Sequence, residues 1–391
     1  MTSSDMLGKQ EAVLSRQIRD QCMECSRCID QCHFLQGIGE SPQEIARRNP
    51  TCAEAYSCSL CRLCEAVCPL SLPLRNLFLT ARKDAVEQES IEINDYSYLF
   101  PDQEDKLTDL FREYCGIDYH ECNLDQEGET AFFPGCTLLT YSLRLTKGVF
   151  KALHDRYPDV TMLSDCCGLP LQQMGLEERY LIFIENLKEK LARLHIKRLI
   201  TACPNCYYLL RSLLHEMQIE LLTIYQALEG KESLNQRLKG SGTLLTVHDS
   251  CPDRFEQIFA VQARRALEKK GFKVVEMEHH LKSTICCGSG GQISHFDEEH
   301  ALWLMDKRWQ EAEDSGAEIL TGYCLSCVLN FAKEPHKLKT RHVLNLLLDI
   351  DENFSGVKAK AAAMFEGAEG AAYMHRIMEG EASRQGKRKG E

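Results

Sequence analysis

The sequence predicts an α+β multidomain chain, with a small cysteine-dense helical domain at the N-terminal end and then a tandem α/β repeat built on parallel sheets. Three observations predict this. Two cysteine runs of identical spacing, at 22–32 and 58–68, enclose a short helical signal. Beyond residue 130, apolar strand-like runs alternate with amphipathic helical stretches. That alternation occurs twice: Cys136, Cys166 and Cys203 return as Cys251, Cys286 and Cys324, which are 115, 120 and 121 residues further on.

With 391 residues, 44% of them hydrophobic and 27% charged, the chain is long enough for two or three domains with cores of their own. A formal net charge of -12 argues against nucleic acid as a partner. The first twenty residues carry charge throughout and show no secretory signal. Apolar runs such as LLTIYQAL are too short to span a bilayer, so contact with a membrane would need a partner subunit. Twenty-one cysteines without an export signal imply a reducing, cytoplasmic setting, where dense thiols are more often metal ligands than disulfides.

In chain order, the first domain is expected over 10–95. DQCMECSRCIDQCHF supplies Cys22, Cys25, Cys28 and Cys32, and YSCSLCRLCEAVCPL supplies Cys58, Cys61, Cys64 and Cys68. Each is C-x2-C-x2-C-x3-C, a spacing that lets three thiolates on one tight loop grip three corners of an iron-sulfur cube. Two zinc sites are the alternative, but zinc usually joins C-x2-C pairs across a longer insert. His33 stands after Cys32, where such runs usually have proline. SPQEIARR reads as a cap and short helix, and RNLFLTARKDAVEQ as a longer one. Residues 96–130 read as an acidic connector.

The first repeat is expected over 131–235: strand AFFPGC, helix SLRLTKGVFKAL, strand VTMLS, then a helix with Leu181, Ile184, Leu187, Leu191 and Leu194 on one face, strand RLITA and helix YYLLRSLLHEM. The second, over 243–350, runs through TLLTVHDSC, FEQIFAVQARRALEKK, FKVVEME, DEEHALWLMDKRWQEAE and AEILTGY. Cysteines follow strands throughout, where a parallel sheet gathers its ligands. The last stretch, 351–391, reads as a flexible or partner-binding tail.

Each repeat carries five thiols: Cys136, Cys166, Cys167, Cys203 and Cys206, then Cys251, Cys286, Cys287, Cys324 and Cys327. A cubane cluster or a zinc ion needs four, so the fifth must bridge metals, stay free to react, or have no role in the site. Neighbours on a strand point to opposite faces, and the glycine after each vicinal pair, Gly168 and Gly288, permits the break that brings both thiols to one site.

The order C…CCG…CxxC, written as FPGC…CCGLP…CPNC and HDSC…CCGSGG…CLSC, resembles the cysteine-rich CCG domain of heterodisulfide reductases. With the N-terminal runs, which resemble a two-cluster α-helical ferredoxin, residues 15 to 345 look like the fused catalytic subunit of that enzyme and like the C subunit of anaerobic glycerol-3-phosphate dehydrogenase. The ferredoxin resemblance implies two [4Fe-4S] cubanes with crossed ligation: Cys22, Cys25 and Cys28 with Cys68, and Cys58, Cys61 and Cys64 with Cys32. The reductase resemblance implies two further, noncubane [4Fe-4S] clusters on the ten CCG cysteines, which would be the catalytic residues. The expected function is reduction of a disulfide or other two-electron acceptor. Electrons would come from a flavoprotein, dehydrogenase, hydrogenase or membrane cytochrome subunit. The alternative is a relay subunit that binds no substrate; zinc in one or both modules is a third reading.

Other residues carry weaker expectations. His248 and Asp249 can tune a cluster by hydrogen bonding or form a structural turn, and His295 and His300 can be proton donors or surface and capping residues. Cys52, Cys115 and Cys122 fit no set and are expected to be structural, while Gly290 and Gly291 allow a close backbone approach.

Overall fold

A computed structural model describes residues 15–230, 242–333 and 336–379. The N-terminal domain is helical, with short helices at Arg27–Gln31, His33–Ile38, Pro42–Arg48, Cys52–Ser57 and Leu63–Val67 and a longer one at Leu74–Glu87. Ser41 and Thr51 each close a capping box with a glutamate three residues on, which satisfies backbone donors that such short helices would otherwise leave open. Ile18, Leu35, Ile45, Leu72, Leu77 and Phe78 fill its core.

The repeat forms two four-stranded parallel sheets. The first contains β1 (Thr130–Phe133), β2 (Thr161–Met162), β3 (Arg198–Thr201) and β4 (Glu220–Thr223) in the order β2-β1-β3-β4. The second contains β5 (Leu244–His248), β6 (Lys273–Val274), β7 (Ile319–Gly322) and β8 (Lys339–His342) in the order β6-β5-β7-β8. Register agrees as well as order: Phe132 pairs with Ile200 as Val247 pairs with Thr321. In each sheet the order reverses beside the first strand, which opens a crevice at the carboxyl ends of β1 and β3, and of β5 and β7.

Several expectations shift. Helix Glu177–Arg193 buries Leu187 and Leu191, but Leu181 is exposed, because the helix covers the sheet along a narrower stripe than the spacing suggested. FKVVEME contributes only Lys273–Val274 to its sheet. The edge strands β4 and β8 were not expected: each is four residues long and runs directly into a helix, so no turn signal marks it. The connector holds a helix at Leu107–Cys115, and part of the supposed tail folds onto it. Helices Val357–Ala363 and Gly367–Glu379 bring Met364 and Ile377 against Leu110 and Phe111. Two apolar anchors among many Ala, Gly and charged residues give too weak a period to read. The segments 231–241 and 380–391 lie outside the described residues.

The two modules share one core, in which Phe132, Val149 and Tyr207 lie in the same cluster as Phe259, Leu267 and Tyr323. The helical domain is joined to both modules by Arg82, a fully buried side chain. Its Nε donates to the carbonyl of Ala55 (2.8 Å), its Nη1 to those of Gln173 and Gly291 (2.7 Å each), and its Nη2 to that of Cys58 (2.7 Å). One guanidinium thus ties the second cysteine run to the first module at Gln173 and to the second at Gly291. Truncation to Met would strand several buried carbonyls, each at about 1–3 kcal/mol. Arg82→Met is expected to lower stability by at least about 3 kcal/mol in denaturant unfolding; an unchanged midpoint would contradict this joint.

Candidate metal centres

Cys22, Cys25, Cys28 and Cys68 line one small cavity. Cys32 instead feels Cys58 and Cys61, and Cys64 feels Cys32. Burial, followed by neighbouring thiols, holds the Cys28 thiol up at about 11, and burial pushes Cys58 up to about 12. The arginines Arg82 and Arg254 donate to the carbonyls of Cys58 and Cys61, at 2.7 and 3.1 Å. Positive charge therefore stands beside the loop where bound thiolates would concentrate negative charge.

In both modules the strand ends carry the thiols. Cys136 follows β1, Cys203 and Cys206 follow β3, Cys251 follows β5, and Cys324 and Cys327 follow β7. After the vicinal pairs, Gly168 and Gly288 have φ of 79° and 83°, the left-handed break that the sequence suggested. At Gly288 the fit is also tight, since a Cβ there would lie 2.3 Å from the Ala301 carbonyl oxygen. Gly135 likewise lets the Cys136 loop approach the CxxC loop, where a Cβ would lie 2.9 Å from that of Cys203.

The ten thiols form one file. Each influences the proton affinity of the next in the order Cys136, Cys166, Cys167, Cys206, Cys203, Cys324, Cys327, Cys287, Cys286, Cys251. The file crosses from one module to the other between Cys203 and Cys324. Sγ of Cys287 and Sγ of Cys327 are 3.1 Å apart. Two thiols are held down by the thiols on either side: Cys167 to about 6 by Cys166 and Cys206, and Cys286 by Cys251 and Cys287. The thiols at the two ends of the file are pushed up, Cys136 by Cys166 and burial and Cys251 by Cys286 and burial. None of the cysteines among the described residues is in a disulfide. Ten sulfurs packed in one file, seven of them on buried residues, with glycines that let the loops converge, are a donor set that suits thiophilic metal.

Every thiol of the file except Cys286 lines a single cavity of about 400 Å³ between the modules, roofed by Ser59, Leu60, Arg62 and Arg75 of the helical domain. Across it Thr137 Oγ1 meets Ser326 Oγ at 3.0 Å. Gly290 and Gly291 use their freedom against the ferredoxin-like run, since added Cβ atoms would lie 2.7 Å from the Ser59 carbonyl and 2.6 Å from that of Cys58.

The remaining expectations separate. Asp249 is structural: Arg264 grips both its oxygens (2.7 and 2.9 Å), the amide of Leu281 donates to it at 2.6 Å, and Arg264 more than offsets the upward push of burial on its carboxyl. His248 is fully buried beside Cys287 and Cys327. His295 and His300 do not line the cavity. His295 meets the Tyr98 hydroxyl at 3.0 Å, and His300 meets His33 at 3.3 Å, with His33 stacked on Trp303. The unusual His33 thus docks the first run on the second module. Cys122 lies in the shared core, as a structural cysteine would. His342 was missed; it lines the cavity from the end of β8, a strand the sequence did not reveal.

A family model for a 4Fe-4S dicluster domain matches residues 21–73, and one for the CCG cysteine-rich domain matches 130–211 and 245–332. The chain therefore carries a 4Fe-4S dicluster domain followed by two CCG cysteine-rich domains. Its relatives include the D subunit of the dihydromethanophenazine:CoB–CoM heterodisulfide reductase of Methanosarcina mazei, 21% identical over 402 residues that cover 87% of this chain and 95% of that protein. Its counterpart in Methanosarcina acetivorans is 22% identical over 377 residues, covering 82% and 90%. The EtfAB:quinone oxidoreductase of Syntrophomonas wolfei is 29% identical over 183 residues, 43% of this chain and 25% of that protein. This chain is an iron-sulfur electron-transfer protein of the oxidoreductase class. No helix among its described residues is long and apolar enough to cross a membrane.

Metal uptake must remove protons from thiols whose affinity for them burial has raised, so loading gains as pH rises. Anaerobic iron and sulfide uptake by the apoprotein is expected to release protons and to grow more complete between about pH 7 and 9. Uptake independent of pH would contradict the buried-thiol assignment.

Proposed function

We propose that this chain reduces a disulfide in the cavity between its two CCG modules, as one subunit of a larger complex. The observation that carries the proposal is the single file of ten thiols, nine of which line one cavity, adjoining the second cysteine run of the helical domain. In this reading Cys22, Cys25, Cys28 and Cys68 hold one cubane [4Fe-4S] cluster and Cys58, Cys61, Cys64 and Cys32 another. The two five-thiol sets each hold a further, noncubane [4Fe-4S] cluster. When bound, the clusters supply one-electron redox centres on either side of the substrate.

The chain's own residues define the rest. Cys25 is exposed and Met23 beside it is 58% exposed, so the first run is where an external donor such as a reduced flavoprotein or dehydrogenase can dock. The second run abuts Gly290 and Gly291, which places it next to the second module. The cavity holds the substrate with its sulfur-sulfur bond between the module faces. Cleavage consumes two electrons from the donor and two protons and yields two thiols. His342, buried against Cys324, is the imidazole that lines the cavity, and Arg75 adds positive charge to its roof. Among the described residues the Arg75 guanidinium has a hydrogen bond only to Gln172, at 3.2 Å, which leaves donors for an acidic group on the substrate.

A relay role is the second reading, and the likeness to an EtfAB:quinone oxidoreductase favours it. The two separate on substrate. Fully loaded protein is expected to hold about sixteen iron atoms per chain and, given a low-potential donor, to reduce at least one of a panel of thiol disulfides. Loaded protein that reduces none supports the relay, and about eight iron atoms with stoichiometric zinc overturns the four-cluster reading. Cys167→Ser is expected to abolish the first module's paramagnetic signal and disulfide reduction together while leaving the cubane signals.

A further inference from the structure

The two modules are near copies, yet they surround their thiols differently. His248 ends β5, three residues before Cys251. It is 1% exposed, and one of its ring nitrogens lies within 4.8 Å of the sulfurs of both Cys287 and Cys327. Its Nδ1 is 3.3 Å from Nε of Arg308. An arginine Nε can only donate, so Nδ1 is the acceptor and the ring proton of the neutral imidazole sits on Nε2. That N–H is buried and has no partner among the described residues. Burial and the Arg308 charge both favour the neutral ring, lowering its pKa to about 3.

Arg308 is itself immobilised. It is fully buried, and its Nη1 donates to Glu311 at 2.6 Å and to the carbonyl of His279 at 2.8 Å. The imidazole is therefore aimed and cannot turn without breaking that arrangement. A buried donor left open costs about 1–3 kcal/mol, so the site has a built-in requirement for an acceptor.

The first module lacks the device. The offset of 115 residues between Cys136 and Cys251 matches His248 with Phe133, and the offset of 121 between Cys203 and Cys324 matches Arg308 with Leu187. Phe133 and Leu187 are both buried in one apolar cluster with Cys167 and Cys206. Where one module has an aimed N–H, its twin has hydrocarbon.

We propose that His248 Nε2–H donates a hydrogen bond to a cluster thiolate of the second module, Cys287 or Cys327, and so sets that cluster at a higher reduction potential than its twin in the first. A donor to sulfur stabilises the more negative, reduced state. The same tautomer keeps His248 from being a metal ligand, because one nitrogen accepts from Arg308 and the other carries the proton. Two electron sites on one cavity then differ in potential, with the His-bearing module, which adjoins the second cysteine run, filled first. His248 acts as a positioning residue through the thiolates, and its role rests on the second module holding a cluster, as proposed above.

The test is a redox titration of the loaded full chain, with the second module's signal assigned by its loss in Cys327→Ser. His248→Phe is expected to lower that module's midpoint by at least about 59 mV, a tenfold shift in a one-electron equilibrium. Iron content and the first module's midpoint should stay unchanged, and His248→Gln, which keeps an N–H, should restore most of the shift. An unchanged midpoint in a loaded His248→Phe protein overturns the inference. Should that variant fail to load, the parent protein decides: an exchangeable proton coupled to the second module's signal and missing from the first supports the inference, and no such proton overturns it. Absence of any second-module signal in the parent chain overturns the cluster assignment and this inference together.

Discussion

Ten sulfurs in a single file, seven of them on buried residues, are the constraint on which the rest of this structure depends. Thiols packed this closely away from water are poor company: each shifts the proton affinity of its neighbours, so that Cys167 and Cys286 are held down while Cys136 and Cys251 are pushed up. An apolar core would gain more from almost any hydrocarbon at these positions. The arrangement makes physical sense as a ligand set, and its cost to folding would be offset by metal binding.

Parallel sheets explain how two sets come to share one cavity. Each sheet reverses its strand order beside its first strand, and each delivers thiols to the carboxyl ends there. The continuous core through Phe132, Phe259 and Tyr323 then sets the two crevices facing each other. The helical domain completes the enclosure as the roof, and Arg82 fixes it by pulling carbonyls from three parts of the chain onto one cation. Burial leaves that guanidinium with its affinity for a proton lowered, to about 10, yet still charged at neutral pH. Cofactor spacing in such a protein depends on joints of this kind, because electron transfer is sensitive to small separations that loose domains would not hold.

Much of this was legible from residue order. The C-x2-C-x2-C-x3-C runs, the paired CCG glycines and the constant repeat offsets carry strong local rules, and Gly168 and Gly288 take the left-handed conformation that those rules ask for. Edge strands β4 and β8 were illegible because they pass into helices with no turn residue between them, and with β8 went His342. The joining of both thiol sets into one file was also out of reach, since sequence shows which loops carry ligands but not how two modules face each other. His248 and Asp249 show the limit most sharply. They are adjacent and were read together, yet Asp249 is a structural pin saturated by Arg264 and Leu281, whereas His248, beside the Cys287 and Cys327 sulfurs, keeps a buried Nε2 with no partner among the described residues.

The central claim is that both five-thiol sets hold iron around one shared cavity. Anomalous diffraction at the iron edge, from anaerobically grown crystals of the loaded chain, tests it most directly. The account predicts iron density at two sites in the helical domain and at two more against the opposing walls of the cavity, one beside Cys166 and Cys167 and the other beside Cys286 and Cys287. Iron confined to the helical domain, with the cavity walls bare or holding zinc, would contradict it.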